Sequence, residues 1–407
     1  MGFLVAQMGA RMHYAVPRIL AERGLLSRFY TDMVSTKLPL SLVRLLPPHL
    51  LPRSVRKLTR RIPQGIEDGV IKAFPFFGLR YALRCRSAES RSETTATHLW
   101  AGRTFMGLVL SHARWDNIET VYGFNSAALE LLIQAKERGK RAILEQTIVP
   151  RSIERDLLNL EQSKWPDWSS GDGDDVHEQE FCEREQAEWE ASDVIVCGSD
   201  FVKEGIRQCA PHVAGRCAVV PYGVDSRFED NGTAGMTKSG GDRLNVLVAG
   251  SLGLRKGTPY VIQAARQLKK LASFKLAGTI TVDESVLQNL PPNVEILGHV
   301  GNEEMSRLYS WADVFLLPSI CEGSATVTYE AISMGVPVIC TPNTGSVIRD
   351  GIEGYIIQVA SSEAICEKLV TIHDDPTLLS LMSCQALKRS QEFSVAAYGA
   401  RLLNALL

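Results

Sequence analysis

The chain has 407 residues, 45% of them hydrophobic and 22% charged, with a formal charge of −2. That balance belongs to soluble globular proteins, and at roughly 150 residues per domain it predicts two domains with sizeable cores. The near-neutral charge argues against a dedicated nucleic-acid binder, which needs a basic excess to meet phosphates. The nine cysteines include no Cys-x-x-Cys pair, so neither a disulfide framework nor a zinc ribbon is expected. A reducing cytosol fits them best.

Read in chain order, short apolar strands alternate with amphipathic helical stretches, the pattern of a parallel sheet covered by helices on both faces. Met1 to Ala6 lacks the basic start and apolar core of a secretory signal, and Ala6 breaks the myristoylation pattern. No apolar run reaches the ~18 residues that span a bilayer. The expected location is therefore cytoplasmic. Phe3 to Ala6 opens the first run as a strand, followed by a loop at Gly9, a helix from Tyr14 to Arg23 and a strand from Leu26 to Thr31. Gly9-Ala10-Arg11 is not a dinucleotide fingerprint, because Gly9 stands alone where that motif needs three glycines.

An insert follows from Lys37 to Gly65. It carries Lys37, Arg44, Arg53, Arg56, Lys57, Arg60 and Arg61, no acidic residue, and interleaved among them Leu38, Leu40, Leu42, Val43, Leu45, Leu46, Leu50 and Leu51. This composition suits an anionic membrane surface, which would make the protein peripheral; it equally suits a solvated basic helix whose leucines complete the core. Further strands are expected at Glu119 to Tyr122, Arg141 to Leu144, Val194 to Cys197 and Ala218 to Val220. Between them, Trp165 to Asp175 reads as a loop. Its Asp172-Gly173-Asp174 lacks the further oxygen ligands of a calcium site, so no metal is expected.

Pro221 to Gly241, rich in Gly, Pro and Ser, marks a hinge. The second run opens with a strand from Leu244 to Ala249 and a helix from Thr258 to Leu271. Strands are expected near Phe274 to Ala277, Val294 to Leu297, Val314 to Leu317, Val336 to Cys340 and Tyr355 to Gln358. Helices fill the rest, ending in one from Ser394 with Tyr398, Leu402 and Leu406 on one face.

The segment from Ala312 to Ile339 carries the chemistry. It reads as strand, loop, helix, turn and strand, with Pro318 and Gly323 bracketing a loop at the carboxyl end of a buried strand. Open parallel sheets bind ligands there. The helix opening at Ser324 or Ala325 offers free N–H groups and a positive dipole end to a diphosphate. Glu322 can accept from sugar hydroxyls, and Glu330 from a ribose. Two glutamates eight apart recur by chance, so the strand, loop and helix around them carry the reading.

Pro318-Ser319, Glu322-Gly323, Glu330-Ala331 and Gly335 to Ile339 resemble the signature of glycosyltransferase family 4, the group 1 glycosyl transferases. Val220 to Asp225, Arg255-Lys256-Gly257 and Ala191 to Ile195 followed by Ser199 are similar to other parts of that family. The resemblance spans roughly residues 190 to 360 and is weak over the first 150. It implies an α/β GT-B fold with two Rossmann-like domains facing across a cleft. One domain would hold residues 1–220 together with a returning C-terminal helix at 388–407, the other residues 221–387.

The resemblance also implies a retaining enzyme that moves a sugar from a nucleoside-diphosphate sugar to a glycan or lipid-linked acceptor, with no metal or other cofactor. Glu322, Lys256 and Arg255 would be catalytic. Ser251, Gly298, His299, Val300, Gly323, Ser324, Ala325, Thr326, Val327 and Glu330 would bind the donor. Lys256 would neutralise the departing diphosphate, unless it is a solvated helix-start residue; His299 would wall the base-binding turn. The sequence departs from the family at Ser251, where an arginine is common, and at Val121 to Asn125, where a histidine or aspartate often faces the sugar. Gly9, His13, Asn125 and Glu145 are the acceptor-side candidates. An epimerase or phosphorylase of the same fold and a non-catalytic subunit of a glycan assembly complex are the alternatives.

Overall fold

The computed structural model describes residues 2–38, 40–43, 51, 53–59, 61–168, 174–224, 242–280, 286 and 289–407. Two parallel sheets organise the chain. The first contains β1 (Phe3–Gln7), β2 (Leu26–Thr31), β3 (Ile71–Ala73), β4 (Thr120–Phe124), β5 (Arg141–Gln146), β6 (Val194–Cys197) and β7 (Cys217–Val219), in the order β3-β2-β1-β4-β5-β6-β7. The second contains β8 (Leu244–Ala249), β9 (Ala272–Ala277), β10 (Val294–Gly298), β11 (Val314–Leu317), β12 (Val338–Cys340) and β13 (Gly354–Ile356), in the order β10-β9-β8-β11-β12-β13.

Helices cross between these strands. In the first half they are α1 (Ala15–Glu22), α2 (Leu40–Val43), α3 (Arg53–Thr59), α4 (Pro75–Ser87), α5 (Arg91–His112), α6 (Leu129–Glu137), α7 (Arg151–Lys164), α8 (Glu178–Glu190) and α9 (Asp200–Cys209). The second half adds α10 (Thr258–Gln267), α11 (Asn302–Trp311), α12 (Thr326–Ser333), α13 (Ser362–Asp374), α14 (Pro376–Ser390) and α15 (Val395–Leu406). Ser361, Asp375 and Ser394 cap α13, α14 and α15, each side-chain oxygen accepting from backbone N–H groups of the first turn.

Alternate side chains of a central strand enter different cores, because neighbours on a strand point to opposite faces. Phe3 and Val5 of β1 join one buried cluster, while Leu4 and Ala6 join another. In β8, Leu247 and Ala249 belong to the first of these clusters, and Val246 and Val248 to a third. The first cluster thus contains side chains from both sheets. α15 returns to the first sheet's side: the Arg141 guanidinium donates to the Leu406 carbonyl, and Gly399 lies against Ile19 of α1.

The order in which the chain adds strands reverses once in each sheet, between β1 and β4 in the first and between β8 and β11 in the second. The loops leaving those strands part there and open a crevice.

Several boundaries differ from expectation. The helix from Thr258 ends at Gln267, since the chain must turn before Ala272 enters β9. β12 begins at Val338 rather than Val336, because Gly335 takes a left-handed turn (φ 67°) and Pro337 cannot donate to a ladder. No element was expected between residues 66 and 118, yet β3, α4 and α5 lie there. β3 is a three-residue edge strand with an exposed lysine at its centre, too short and polar to announce itself. Of the basic insert, Leu40 and Leu51 are buried, Arg61 pairs with Asp32 and Lys37 with Asp68, and Leu38 and Leu42 are exposed. Arg44, Arg60 and the Asp172-Gly173 part of the acidic loop lie outside the described residues.

Candidate active site

The second sheet's reversal point brings two loops together. Gly257, at φ 68°, sits so close to the exit of β11 that an added Cβ would lie 2.1 Å from the Pro318 carbonyl oxygen. Only glycine permits that approach. The Arg255 carbonyl accepts from the Ile320 N–H at 2.9 Å, which knits the loops after β8 and β11.

Glu322 is held between two cations as a result. Its Oε1 lies 2.9 Å from Arg255 Nη1 and 2.5 Å from Lys256 Nζ. Lys256 is 7% exposed and Glu322 8%, so Lys256 is not a solvated helix-start residue. These contacts are ion pairs; Oε1 has no hydrogen-bond partner of ordinary geometry. Burial pushes the Lys256 ammonium below the usual lysine range against the pull of Glu322, and the neighbouring Arg255 charge pushes the same way. A buried lysine bound to a single carboxylate oxygen can exchange that partner for a phosphate at little desolvation cost.

α12 begins at Thr326, with Ala325 as its N-cap residue. The Ser324 hydroxyl is engaged by the Tyr329 hydroxyl (2.7 Å) and the Gly345 carbonyl (3.2 Å), and the Ala325 N–H donates to the Thr344 carbonyl. Val327 is half-buried, and its carbonyl accepts from the Tyr309 hydroxyl. Thr326 faces two cavities. One, of about 390 Å³, is lined by Glu322, Gly323, Ser324, Arg11, Thr147 and Tyr222 among others. The second, of about 560 Å³, is lined by Glu330, His13, Met12 and Asn302 among others. The Tyr309 hydroxyl donates to Glu330 Oε2 at 2.9 Å, and burial raises this carboxyl above the usual range against that hydrogen bond.

Gly298 turns the chain after β10 (φ 65°), its carbonyl accepting from the Gly278 N–H at 2.8 Å. His299 is exposed, Val300 packs against the core, and Ser251 is half-buried after Gly250. None of these four lines the two cavities that hold Glu322 and Glu330.

The first domain meets this loop at van der Waals contact. A Cβ on Gly323 would stand 1.9 Å from the Thr147 carbonyl oxygen, and Ser199 donates to the Gly323 carbonyl at 2.5 Å. Gly9 (φ 73°) donates its N–H to Asp32 Oδ1, and Asn125 Oδ1 accepts from both the Thr147 N–H and its hydroxyl. Both residues line a third cavity of about 600 Å³, together with Arg11, Arg61, His98 and Arg151.

Glu145 does not face the cleft. It is 1% exposed and accepts from the Tyr122 and Tyr222 hydroxyls at 2.6 and 2.9 Å; burial raises its carboxyl above the usual range. It lines none of the three cavities.

Arg11, Thr147 and Tyr222 line the small cavity with Glu322, and no local motif marks Thr147 or Tyr222 for this role. Their signal in the sequence is position: Arg11 follows β1 and Thr147 follows β5. The turn after β1 is also strained. Met12, His13 and Tyr14 take φ of 45°, 51° and 61° in succession, a left-handed path that costs non-glycine residues about 1–2 kcal/mol each. Such strain gathers at functional sites.

Solved structures match this architecture over essentially the whole chain. The Anabaena HepE protein in complex with UDP superimposes with a TM-score of 0.64 at 14% identity, covering 100% of this chain and 99% of that one. WaaG, a glycosyltransferase involved in lipopolysaccharide biosynthesis, gives a TM-score of 0.60 at 16% identity over 99% and 98%. The fold is GT-B. In this GT-B chain, residues 243–375 match the family described as glycosyl transferases group 1. Among curated proteins, the putative colanic acid biosynthesis glycosyltransferase WcaL of Salmonella typhimurium is 27% identical over 49% of this chain and 52% of its own. The capsular polysaccharide biosynthesis glycosyltransferase CapM of Staphylococcus aureus is 30% identical over 32% and 34%. The chain thus spans about half or less of the length of these relatives. Among the described residues no three His, Cys, Asp or Glu side chains are grouped to hold a metal, and no helix is long and apolar enough to cross a membrane.

Proposed function

We propose that the protein transfers a sugar from a nucleoside-diphosphate sugar to a hydroxyl of a glycan or lipid-linked acceptor, with retention of configuration. The observation that carries this reading is the buried Glu322 carboxylate held by Lys256 and Arg255 at the second sheet's reversal point. Two adjacent cations beside a helix start suit a diphosphate. A diphosphate placed there takes Lys256 and Arg255 from Glu322 and frees the carboxylate to accept from sugar hydroxyls. As the glycosidic bond breaks, charge grows on the departing diphosphate oxygen, and the cations stabilise it where it forms. The same oxygen takes the proton of the acceptor hydroxyl, which attacks from the face the nucleotide leaves. Glu330, with one oxygen on Tyr309, lies in the neighbouring cavity as the ribose acceptor. Relatives support the donor class: HepE structures hold UDP and UDP-glucose.

Glu322→Ala tests the reading. Transfer from a nucleotide sugar falls by orders of magnitude while the thermal melting profile stays cooperative; near-normal turnover in that variant removes Glu322 from the mechanism. A thermal-shift panel of nucleotide sugars then identifies base and sugar, since a bound donor raises apparent stability.

A further inference from the structure

α4 has two unlike sides. Its inner side is packed: Phe77 stacks on Phe105 with ring centroids 5.7 Å apart, and a Cβ on Gly78 would lie 2.7 Å from Met33 Cγ. Its outer side is bare. Phe76 is 85% exposed, Leu79 54% and Leu83 60%. At spacings of three and four residues these side chains form one stripe along the helix.

Basic groups border that stripe. Arg80 and Arg84 lie over the Trp100 ring at 5.1 and 4.1 Å, which holds their guanidinium groups along the helix flank. Lys72 and Arg86 are exposed. From Ile71 to Ala88 the chain has these four basic residues and no acidic one. Three large apolar side chains in water, rimmed by one sign of charge, ask for a partner that is apolar within and negative at its surface.

We propose that the outer face of α4 seats the protein on a bilayer bearing anionic headgroups. Phe76, Leu79 and Leu83 enter the boundary of headgroup and acyl chain, and the four cations meet the lipid charges. A second copy of the chain fits less well, because a two-fold contact through α4 would set the same cations against each other. The inner flank of the helix gives the seat a purpose. Gly78, Tyr81 and Ala82 wall the cavity of about 600 Å³ that also holds Arg61 and Arg151, so a docked α4 holds that cavity at the headgroup layer. This surface stands independently of the transfer reading and replaces the basic insert as the principal membrane contact.

Co-sedimentation of the full chain with vesicles of phosphatidylcholine alone, or of phosphatidylcholine with phosphatidylglycerol, tests the proposal. Binding to the anionic vesicles that weakens with salt, and that falls roughly tenfold or more in the Phe76→Ser, Leu79→Ser, Leu83→Ser triple variant, is the expected result. No binding to anionic vesicles, equal binding to both kinds, or full binding by the triple variant overturns it; the last would return the role to the basic insert. A solution mass that drops in the triple variant without vesicles also overturns it, assigning the stripe to a second copy. The melting temperature of the triple variant, with and without a nucleotide sugar, shows that it folds and separates this result from any failure of the transfer reading.

Discussion

Lys256 sits in an environment unusual for its type. It is buried, its ammonium is pushed below the usual lysine range by that burial, and its work in the proposed reaction requires the charge. The basic limb of the kcat/KM profile therefore falls at lower pH than an ordinary lysine would give. Lys256→Arg moves that limb upward, because a guanidinium keeps its proton, and a limb that stays in place would assign it to another group. Lys256→Ala lowers kcat by roughly 100- to 1000-fold, the scale of losing one preorganised charge partner.

Glu185 makes a second prediction at this scale. Burial raises its pKa from 4.5 to about 7, while hydrogen bonds from Gln146 and the Arg151 N–H oppose the shift. The folded chain keeps a proton there that the unfolded chain releases. This group's contribution to stability is thus full below pH 4.5 and is lost as pH rises to about 7. Thermal melts across that range show a declining midpoint, and Glu185→Gln flattens the decline whatever its effect at one pH. The burial of Glu185, and of Glu145 among the acceptor-side candidates, was not legible in the sequence. Both are carboxylates buried among hydrogen-bond partners distant in the chain, and local pattern does not carry that information. Glu322 and Lys256, by contrast, were singled out from short motifs beside buried strands.

At the scale of elements, the strands of both reversal points stood out because they are buried on two faces and mostly apolar, as in Phe3 to Ala6, Val246 to Ala249 and Val314 to Leu317. β3 and α5 did not. α5 buries Thr95, Thr97, Leu99, Ala101, Phe105, Met106 and Val109 around much of its circumference, so no single apolar stripe marks it. The loop that carries Glu322 depends on Gly323, whose missing side chain admits the Thr147 carbonyl of the first domain. Gly323→Ala places a Cβ against the Thr147–Ile148 backbone and forces the cleft apart. A displacement of this size costs about 100-fold in kcat/KM. Donor-induced thermal shift persists in the variant, since Lys256 and Glu322 remain in the second domain; loss of both donor binding and turnover would contradict a purely positional role for the glycine.

Across the whole molecule, two parallel sheets offer their loops to one crevice, and α15 ties the chain's end back to the first sheet's side. The second sheet supplies the cations and carboxylates, and the first supplies Arg11, Thr147 and the strained turn at Met12 to Tyr14. The second sheet's share was readable in the sequence, where the motifs around Lys256 and Glu322 are short and contiguous. The cavity of about 600 Å³ on the first sheet's side draws walls from β1, α3, α4, α5 and α7, and it appears only once these elements fold together. The central claim is that the crevice performs transfer with retention. Its most direct measurement incubates the protein with a nucleotide sugar, with and without acceptor, and reads both nucleoside diphosphate release and the anomeric configuration of the product by NMR. Acceptor-dependent release of nucleoside diphosphate with the donor's anomeric configuration preserved is the predicted result. Conversion of the donor without acceptor, or an inverted product, would contradict it.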